Sequence, residues 1–128
     1  MRGSVSRGDP AELPAGDVPV LFVHGQPGLG SDFEPVKERL GQRFAVLSPD
    51  RPGYGSSLIP AVSMHENVEM LAALAEEKIA GPAIVVGHSF GGGIAVLLAA
   101  RRPDLVAGLV LDDVLFAGRR DIKQLHPA

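Results

Sequence analysis

The chain has 128 residues, a length that suits one domain built around one hydrophobic core. Its formal net charge of −3 gives no reason to expect nucleic acid or an acidic membrane surface as a partner. No cysteine is present, so disulfides and thiolate metal sites are excluded, and the four scattered histidines lead us to expect no metal site.

In chain order, the first segment is a polar leader rich in Gly and Pro at residues 1–17, which we expect to be flexible. A domain at 18–128 follows, in which short apolar runs alternate with helical patterns. The predicted strands are 18–23, 44–47, 83–86 and 108–111. The predicted helices are 31–40, capped by Ser31 or Asp32; a helix opened by the capping-box pattern of Ser63 and Glu66 and stopped by Gly81; and 90–101.

This order of elements predicts an α/β fold. Continuously apolar strands that alternate with helices are typical of a parallel sheet covered by helices on both faces. No segment has the length of a transmembrane helix or the hydrophobic stretch of a signal peptide, so we expect a cytoplasmic protein.

The most informative motif is Gly-x-Ser-x-Gly at Gly87, Ser89 and Gly91, which runs directly from a predicted strand into a predicted helix. A sharp turn there lifts the serine hydroxyl clear of the sheet, and the two glycines keep side chains away from it. Glycines inside a helix cost about 1 kcal/mol each relative to Ala, and such violations tend to lie at functional sites. The alternative is that these glycines only permit close helix–strand packing and that Ser89 is inert.

Two further motifs occur in series with this one, and together they resemble the α/β-hydrolase superfamily over about residues 18–115. His24-Gly25-Gln26-Pro27-Gly28 resembles its HGxPG oxyanion loop. Residues 50–57, beginning Asp50-Arg51-Pro52-Gly53, resemble its DxPGxGxS loop. Three motifs in the family's order and spacing make a chance match improbable.

The resemblance implies a role for each matching residue. Ser89 is the expected nucleophile, and the backbone N–H groups of Gln26 and Phe90 are the expected oxyanion donors. Gly87 and Gly91 are the glycines of the nucleophile elbow. The substrate class implied is a small molecule with an ester or related acyl group, and a serine rather than an aspartate disfavours the epoxide and halide branches. No cofactor is expected, because the glycines at 28 and 30 lack the third glycine of a dinucleotide loop.

The resemblance also bears on the other histidines and acids. By the family pattern His24 is a structural residue of the oxyanion loop rather than the catalytic base. His88 is expected to pack, and Asp50 to fix the turn after its strand. Asp112 and Asp113 follow the predicted strand 108–111. Most of the superfamily places the triad acid after the next strand along the chain, but a minority places it where Asp113 or Asp112 stands.

The family's catalytic His follows the acid, whereas this chain ends 39 residues after Ser89. We therefore expect a fold truncated to about four strands that lacks the catalytic His, with His126 a loop residue. A second function stays open: a non-catalytic remnant or a complementing subunit. An edge strand at 108–111 without a neighbour predicts self-association or a partner chain.

Overall fold

The computed structural model describes residues 2–5, 18–40 and 43–113. The strands are β1 (Arg2–Val5), β2 (Val18–Val23), β3 (Phe44–Asp50), β4 (Ala83–His88) and β5 (Val106–Asp112), and the helices are α1 (Glu34–Leu40), α2 (Met64–Lys78) and α3 (Phe90–Arg101). Short 3₁₀ turns lie at Gly30–Phe33 and Pro103–Leu105.

One sheet joins all five strands in the order β1-β3-β2-β4-β5. Strands β2 to β5 are parallel, as the sequence predicts, and β1 is antiparallel to β3. The carboxyl ends of β2, β3 and β4 therefore meet at one edge of the sheet. The loops that follow these three strands carry the three motifs, so the sheet brings the motifs together there.

The core lies on both faces of the sheet. Alternation along β2 sends Leu21 and Val23 to one face and Val20 and Phe22 to the other. The larger cluster lies under α2 and α3, and its buried members on those helices include Leu71, Ile94 and Leu98. Phe33, at the entry to α1, packs into the smaller cluster, with its ring centroid 4.5 Å from that of Phe22. The prediction of helices on both faces is confirmed.

Helix boundaries follow local capping. The Ser63 hydroxyl accepts from the backbone N–H of Glu66 at 3.2 Å, so the predicted start of α2 is confirmed. Helix α3 has the predicted bounds. The predicted helix 31–40 is wrong in its first turn, which is 3₁₀; α1 begins at Glu34, with Pro35 in its opening turn.

The strand β3 is three residues longer than predicted, since it continues through Pro49 to Asp50. Proline disfavours a strand interior because it cannot donate to the ladder. Pairing between β2 and β3 ends at Leu47, so Pro49 faces a strand partner on the β1 side only. Strands β4 and β5 likewise extend beyond the predicted bounds, to His88 and over Val106–Asp112.

The start of the predicted leader is not irregular, because residues 2–5 form β1. The strand pairs with the outer edge of β3, in a register that sets Arg2 opposite Asp50 and Val5 opposite Leu47. The open edge of β3 supplies backbone donors and acceptors for this pairing, which requires no hydrophobic pattern in the short strand itself. Residues 6–17, the rest of the predicted leader, lie outside the described residues.

Candidate active site

Ser89 lies at the turn between β4 and α3, with φ 54° and ψ −119°. A positive φ is rare for a residue with a side chain, and such backbone strain is concentrated at functional sites. The carbonyl oxygen of Ser89 accepts from the N–H of Gly92 at 2.9 Å, which joins the turn to the first turn of α3. The predicted sharp turn at Ser89, between a strand and a helix, is confirmed.

Both glycines of the motif lie where a Cβ atom would collide with neighbouring backbone. A Cβ at Gly87 would lie 2.6 Å from the carbonyl oxygen of Gly91. A Cβ at Gly91 would overlap the carbonyl oxygens of Val23 and His24, at the end of β2. The turn at Ser89 therefore lies directly against the loop that follows β2.

His24 is buried in that loop, and both ring nitrogens are hydrogen-bonded. Nε2 accepts from the backbone N–H of Arg51 at 2.9 Å, so the proton of the neutral ring is on Nδ1, which lies 2.7 Å from the carbonyl oxygen of Gly25. Burial lowers the pKa of His24 against the opposing effect of the Gly25 hydrogen bond, and the positive charge of Arg51 lowers it further. The prediction that His24 is structural is confirmed.

Among the described residues, Arg51 is the largest fully buried side chain, at 1% exposure. Its Nε donates to the carbonyl oxygen of His24 at 2.9 Å and its Nη2 to that of Gly25 at 3.0 Å. Its Nη1 donates to Oδ1 of Asn67 on α2 at 3.2 Å. No carboxylate pairs with it within residues 18–40 and 43–113, and burial lowers its pKa.

Asp50 organises the loop after β3. Oδ1 accepts from the N–H of Gly30 at 2.8 Å, and Oδ2 accepts from the N–H and hydroxyl of Ser56 at 2.9 and 2.8 Å. Partial burial opposes ionisation of the carboxyl, but these hydrogen bonds outweigh it and hold the pKa of Asp50 below its usual range. The prediction that Asp50 fixes this turn is confirmed.

The expected oxyanion donors lie in the loop after β2 and at the first residue of α3. Gln26 is exposed, and within the described part of the chain its backbone N–H forms no hydrogen bond. Its side-chain Oε1 accepts from the hydroxyl of Tyr54 at 3.1 Å. Phe90 is the first residue of α3, where a backbone N–H has no acceptor inside the helix. Both groups are thus available to a ligand.

His88 does not pack in the core, and that prediction is wrong. Its side chain is 46% exposed, and Nδ1 lies 3.2 Å from Oδ2 of Asp112. As the last residue of β4, His88 shares a face with Val86, and β5 ends directly beside it. Asp113 follows at φ 49° and is exposed. Of the two expected acids, only Asp112 contacts a histidine among the described residues.

A cavity of about 390 Å³ lies on the α1 face of the sheet. Its apolar walls include Phe22, Phe33 and Val86, and its polar rim includes His88 and Asp112. Ser89 does not line it. Within the described ranges no group of His, Asp and Glu side chains could hold a metal ion, and no helix is long and apolar enough to cross a membrane.

The sequence model of the alpha/beta hydrolase fold matches residues 18–127. The chain belongs to this family. Lipase LipV of Mycobacterium tuberculosis is 43% identical to this hydrolase-fold chain over 101 residues, which cover 78% of the chain and 38% of the lipase. The 2-(acetamidomethylene)succinate hydrolase of Mesorhizobium japonicum is 38% identical over 96 residues, which cover 73% of the chain and 34% of that enzyme.

Solved structures agree with this assignment. The N-acyl homoserine lactonase AidH, complexed with N-butanoyl homoserine, matches with a TM-score of 0.77 and 27% identity, over 95% of the hydrolase-fold chain and 44% of the lactonase chain. The chain spans just over a third of the length of the two curated relatives above.

Sequence reasoning missed two residues that build this site, Arg51 and Asn67. Arg51 stands inside the recognised loop motif, but a charged side chain in a turn is usually exposed. Asn67 lies on the buried face of α2 with Val68 and Leu71. A polar residue on an otherwise apolar helix face was the signal that could have identified it.

Proposed function

We propose that the chain is the nucleophile-bearing part of a serine hydrolase that acts on an ester or related acyl substrate. The observation that carries this proposal is the strained conformation of Ser89 at the junction of β4 and α3. A serine held this way presents its hydroxyl to a substrate above the sheet edge, where the loops after β2 and β3 also lie. The similar proteins described above are a lipase, a hydrolase and a lactonase, which supports an acyl substrate.

The proposed reaction begins with attack of Ser89 Oγ on the carbonyl carbon of the substrate. A general base takes the hydroxyl proton as the carbon–oxygen bond forms, and the carbonyl oxygen becomes an oxyanion. The backbone N–H groups of Gln26 and Phe90 stabilise that oxyanion. The tetrahedral intermediate then collapses: the bond from the carbon to the leaving oxygen breaks, and that oxygen takes the proton from the base. Water next attacks the acyl-enzyme while the base takes its proton, the bond to Ser89 Oγ breaks, and the base returns the proton to Oγ.

The base is proposed to come from outside the described residues. Both ring nitrogens of His24 are already hydrogen-bonded, and the hydrogen bond that His88 forms among the described residues is to Asp112, not to the Ser89 hydroxyl. No described side chain is hydrogen-bonded to the Ser89 hydroxyl. His126 lies outside the described residues, as does the part of the relatives' length that this chain does not span.

Fluorophosphonate labelling tests the nucleophile. The 128-residue chain is incubated with a fluorophosphonate, and the modified residue is located by peptide mass spectrometry. We expect selective modification of Ser89 that is slow in this chain and absent in Ser89→Ala. Ser57→Ala is the matched control, because Ser57 lies in the neighbouring loop after β3, and it should label like the parent chain.

The same experiment addresses the base and the alternative function. Rapid labelling that is lost in His126→Ala would assign the base to His126 and contradict the expectation that this chain lacks it. Labelling at Ser89 no faster than at Ser57 would contradict the proposed nucleophile and favour the non-catalytic alternative.

A further inference from the structure

The loop after β2 runs directly beside the proposed nucleophile. A Cβ at Gly25 would lie 3.1 Å from the Cβ of Ser89, so the peptide group that joins Gly25 to Gln26 is next to the serine. This peptide carries one of the two proposed oxyanion donors, the N–H of Gln26. That N–H can donate to the oxyanion only if the peptide plane is oriented so that the N–H points towards the substrate.

The rotation of this plane is fixed through its carbonyl oxygen. The oxygen of Gly25 accepts from two buried side chains, Nδ1 of His24 at 2.7 Å and Nη2 of Arg51 at 3.0 Å. The Gly25–Gln26 peptide is trans, so its C=O and N–H point in opposite directions. With the oxygen held on the buried side, the N–H of Gln26 must face the open side.

Arg51 connects this peptide to the rest of the site. Its guanidinium carbon lies 5.0 Å from the ring centroid of Tyr54 and 5.4 Å from that of Phe90, whose N–H is the other proposed donor. Asn67 anchors the same guanidinium to α2. A buried charge is expensive unless polar groups compensate it, and among the described residues carbonyl oxygens and aromatic faces do so for Arg51.

We infer that Arg51 is a positioning residue that holds the Gly25–Gln26 peptide with its N–H presented to the substrate oxyanion. Its positive charge on the carbonyl oxygen also polarises that peptide, which strengthens its N–H as a donor. The catalytic part of this inference rests on the proposed function, whereas the fixed orientation of the peptide does not. His24 holds the same oxygen and is itself hydrogen-bonded to the backbone N–H of Arg51, whereas the Arg51 side chain is the contact that connects the peptide to α2 through Asn67.

The orientation can be measured without activity. In an HNCO spectrum of the isotope-labelled 128-residue chain, one cross-peak joins the amide of Gln26 to the carbonyl carbon of Gly25. Arg51→Lys keeps the charge but loses the planar fork of donors. We expect the Gly25 carbonyl carbon to move upfield in Arg51→Lys, because it loses a hydrogen bond, and to move less, in the same direction, in Asn67→Ala. The control is Arg102→Lys, because Arg102 is a half-buried, ion-paired arginine after α3 that does not contact this peptide; it should leave the cross-peak unchanged.

The catalytic part is measured as the rate constant of fluorophosphonate labelling at Ser89, because the phosphonyl oxygen takes the place of the substrate oxyanion and the reaction needs no turnover. Deleting one oxyanion donor costs on the order of 10²–10³ in rate, so misaligning it in Arg51→Lys should lower this rate constant by roughly 10- to 100-fold. Arg102→Lys should label at the rate of the parent chain. An unchanged rate constant in folded Arg51→Lys would overturn the catalytic part.

An unshifted cross-peak in folded Arg51→Lys would overturn the inference even if Ser89 is active. If Arg51→Lys does not fold, Asn67→Ala decides, and an unchanged cross-peak there overturns the inference as well. If Ser89 proves inert while the cross-peak shifts, the proposed function fails and the orientation by Arg51 stands.

Discussion

The backbone N–H of Ser89 donates to the carbonyl oxygen of Asp112 at 3.0 Å. This bond extends the β4–β5 ladder by one step beyond the pair His88 and Asp112. The strained turn is therefore held from two sides, by the loop after β2 and by the end of β5. The position of the serine depends on strands that are far from it in sequence.

The close approach of α3 to the loop after β2 predicts a large effect of Gly91→Ala. The added Cβ would overlap two backbone carbonyl oxygens, which cannot move as a flexible side chain does. We expect the free energy of unfolding to fall by more than about 2 kcal/mol in chemical denaturation. Gly108→Ala is the control, because its Cβ would meet only Ile84 Cγ1 at 3.8 Å. It should be neutral or stabilising by up to about 1 kcal/mol, and equal losses in both variants would contradict the steric argument.

The buried neutral His24 predicts a loss of stability in acid. Its folded-state pKa lies below its ordinary value of 6.5, so the unfolded chain binds a proton first as the pH falls. The stability is present above about pH 6.5 and is lost below it, with a slope of up to about 1.4 kcal/mol per pH unit for one proton. Denaturation curves between pH 7.5 and 5 should show this slope in the parent chain and in His65→Gln, where the replaced histidine is exposed. A slope that persists in His24→Gln would assign it to another group.

The carboxylate of Asp50 predicts a graded series in the loop after β3. Ser56→Ala removes one of its three hydrogen bonds, and we expect a loss of about 1 kcal/mol in the free energy of unfolding. Asp50→Asn replaces an acceptor oxygen by an N–H donor that faces other donors, so we expect a larger loss of about 1–3 kcal/mol. Equal stabilities of these two variants in urea denaturation would show that the carboxylate does not organise this loop.

The edge strand β5 predicts concentration-dependent association of the 128-residue chain. Leu109, Val110 and Leu111 are 38, 51 and 41% exposed, on a strand whose outer edge has no partner among the described residues. Light scattering after size exclusion across a dilution series should show a mass that rises with concentration. Val110→Lys should reduce it, since a lysine on an edge strand opposes pairing.

The control for this association is Leu58→Lys. Leu58 is 81% exposed, but it lies in a loop without an open strand edge. The variant should associate like the parent chain. A parent chain that stays monomeric at high concentration would refute the association.

Local signals were sufficient to predict the parallel strands, α2, α3 and the turn at Ser89, because each depends on an apolar run or a cap within a few residues. The features that could not be predicted depend on contacts between distant segments. β1 exists because β3 has an open edge, and Pro49 fits in β3 because pairing with β2 has already ended. Arg51 is buried because the carbonyl oxygens of residues 24 and 25 accept its donors, which no local pattern indicates.

Because β1 is short, the two edges of the sheet are unequal in length. One edge is the outer edge of the four-residue strand β1, and the other is the outer edge of the seven-residue apolar strand β5. When two copies pair through β5, the β5 edge of each copy is covered by the other. Within the described residues, only the short β1 edges then stay unpaired. A contact of this two-fold kind is self-complementary and saturates after one partner. Assembly through β5 would therefore stop at a pair, and the chain would form a discrete particle instead of a growing fibre.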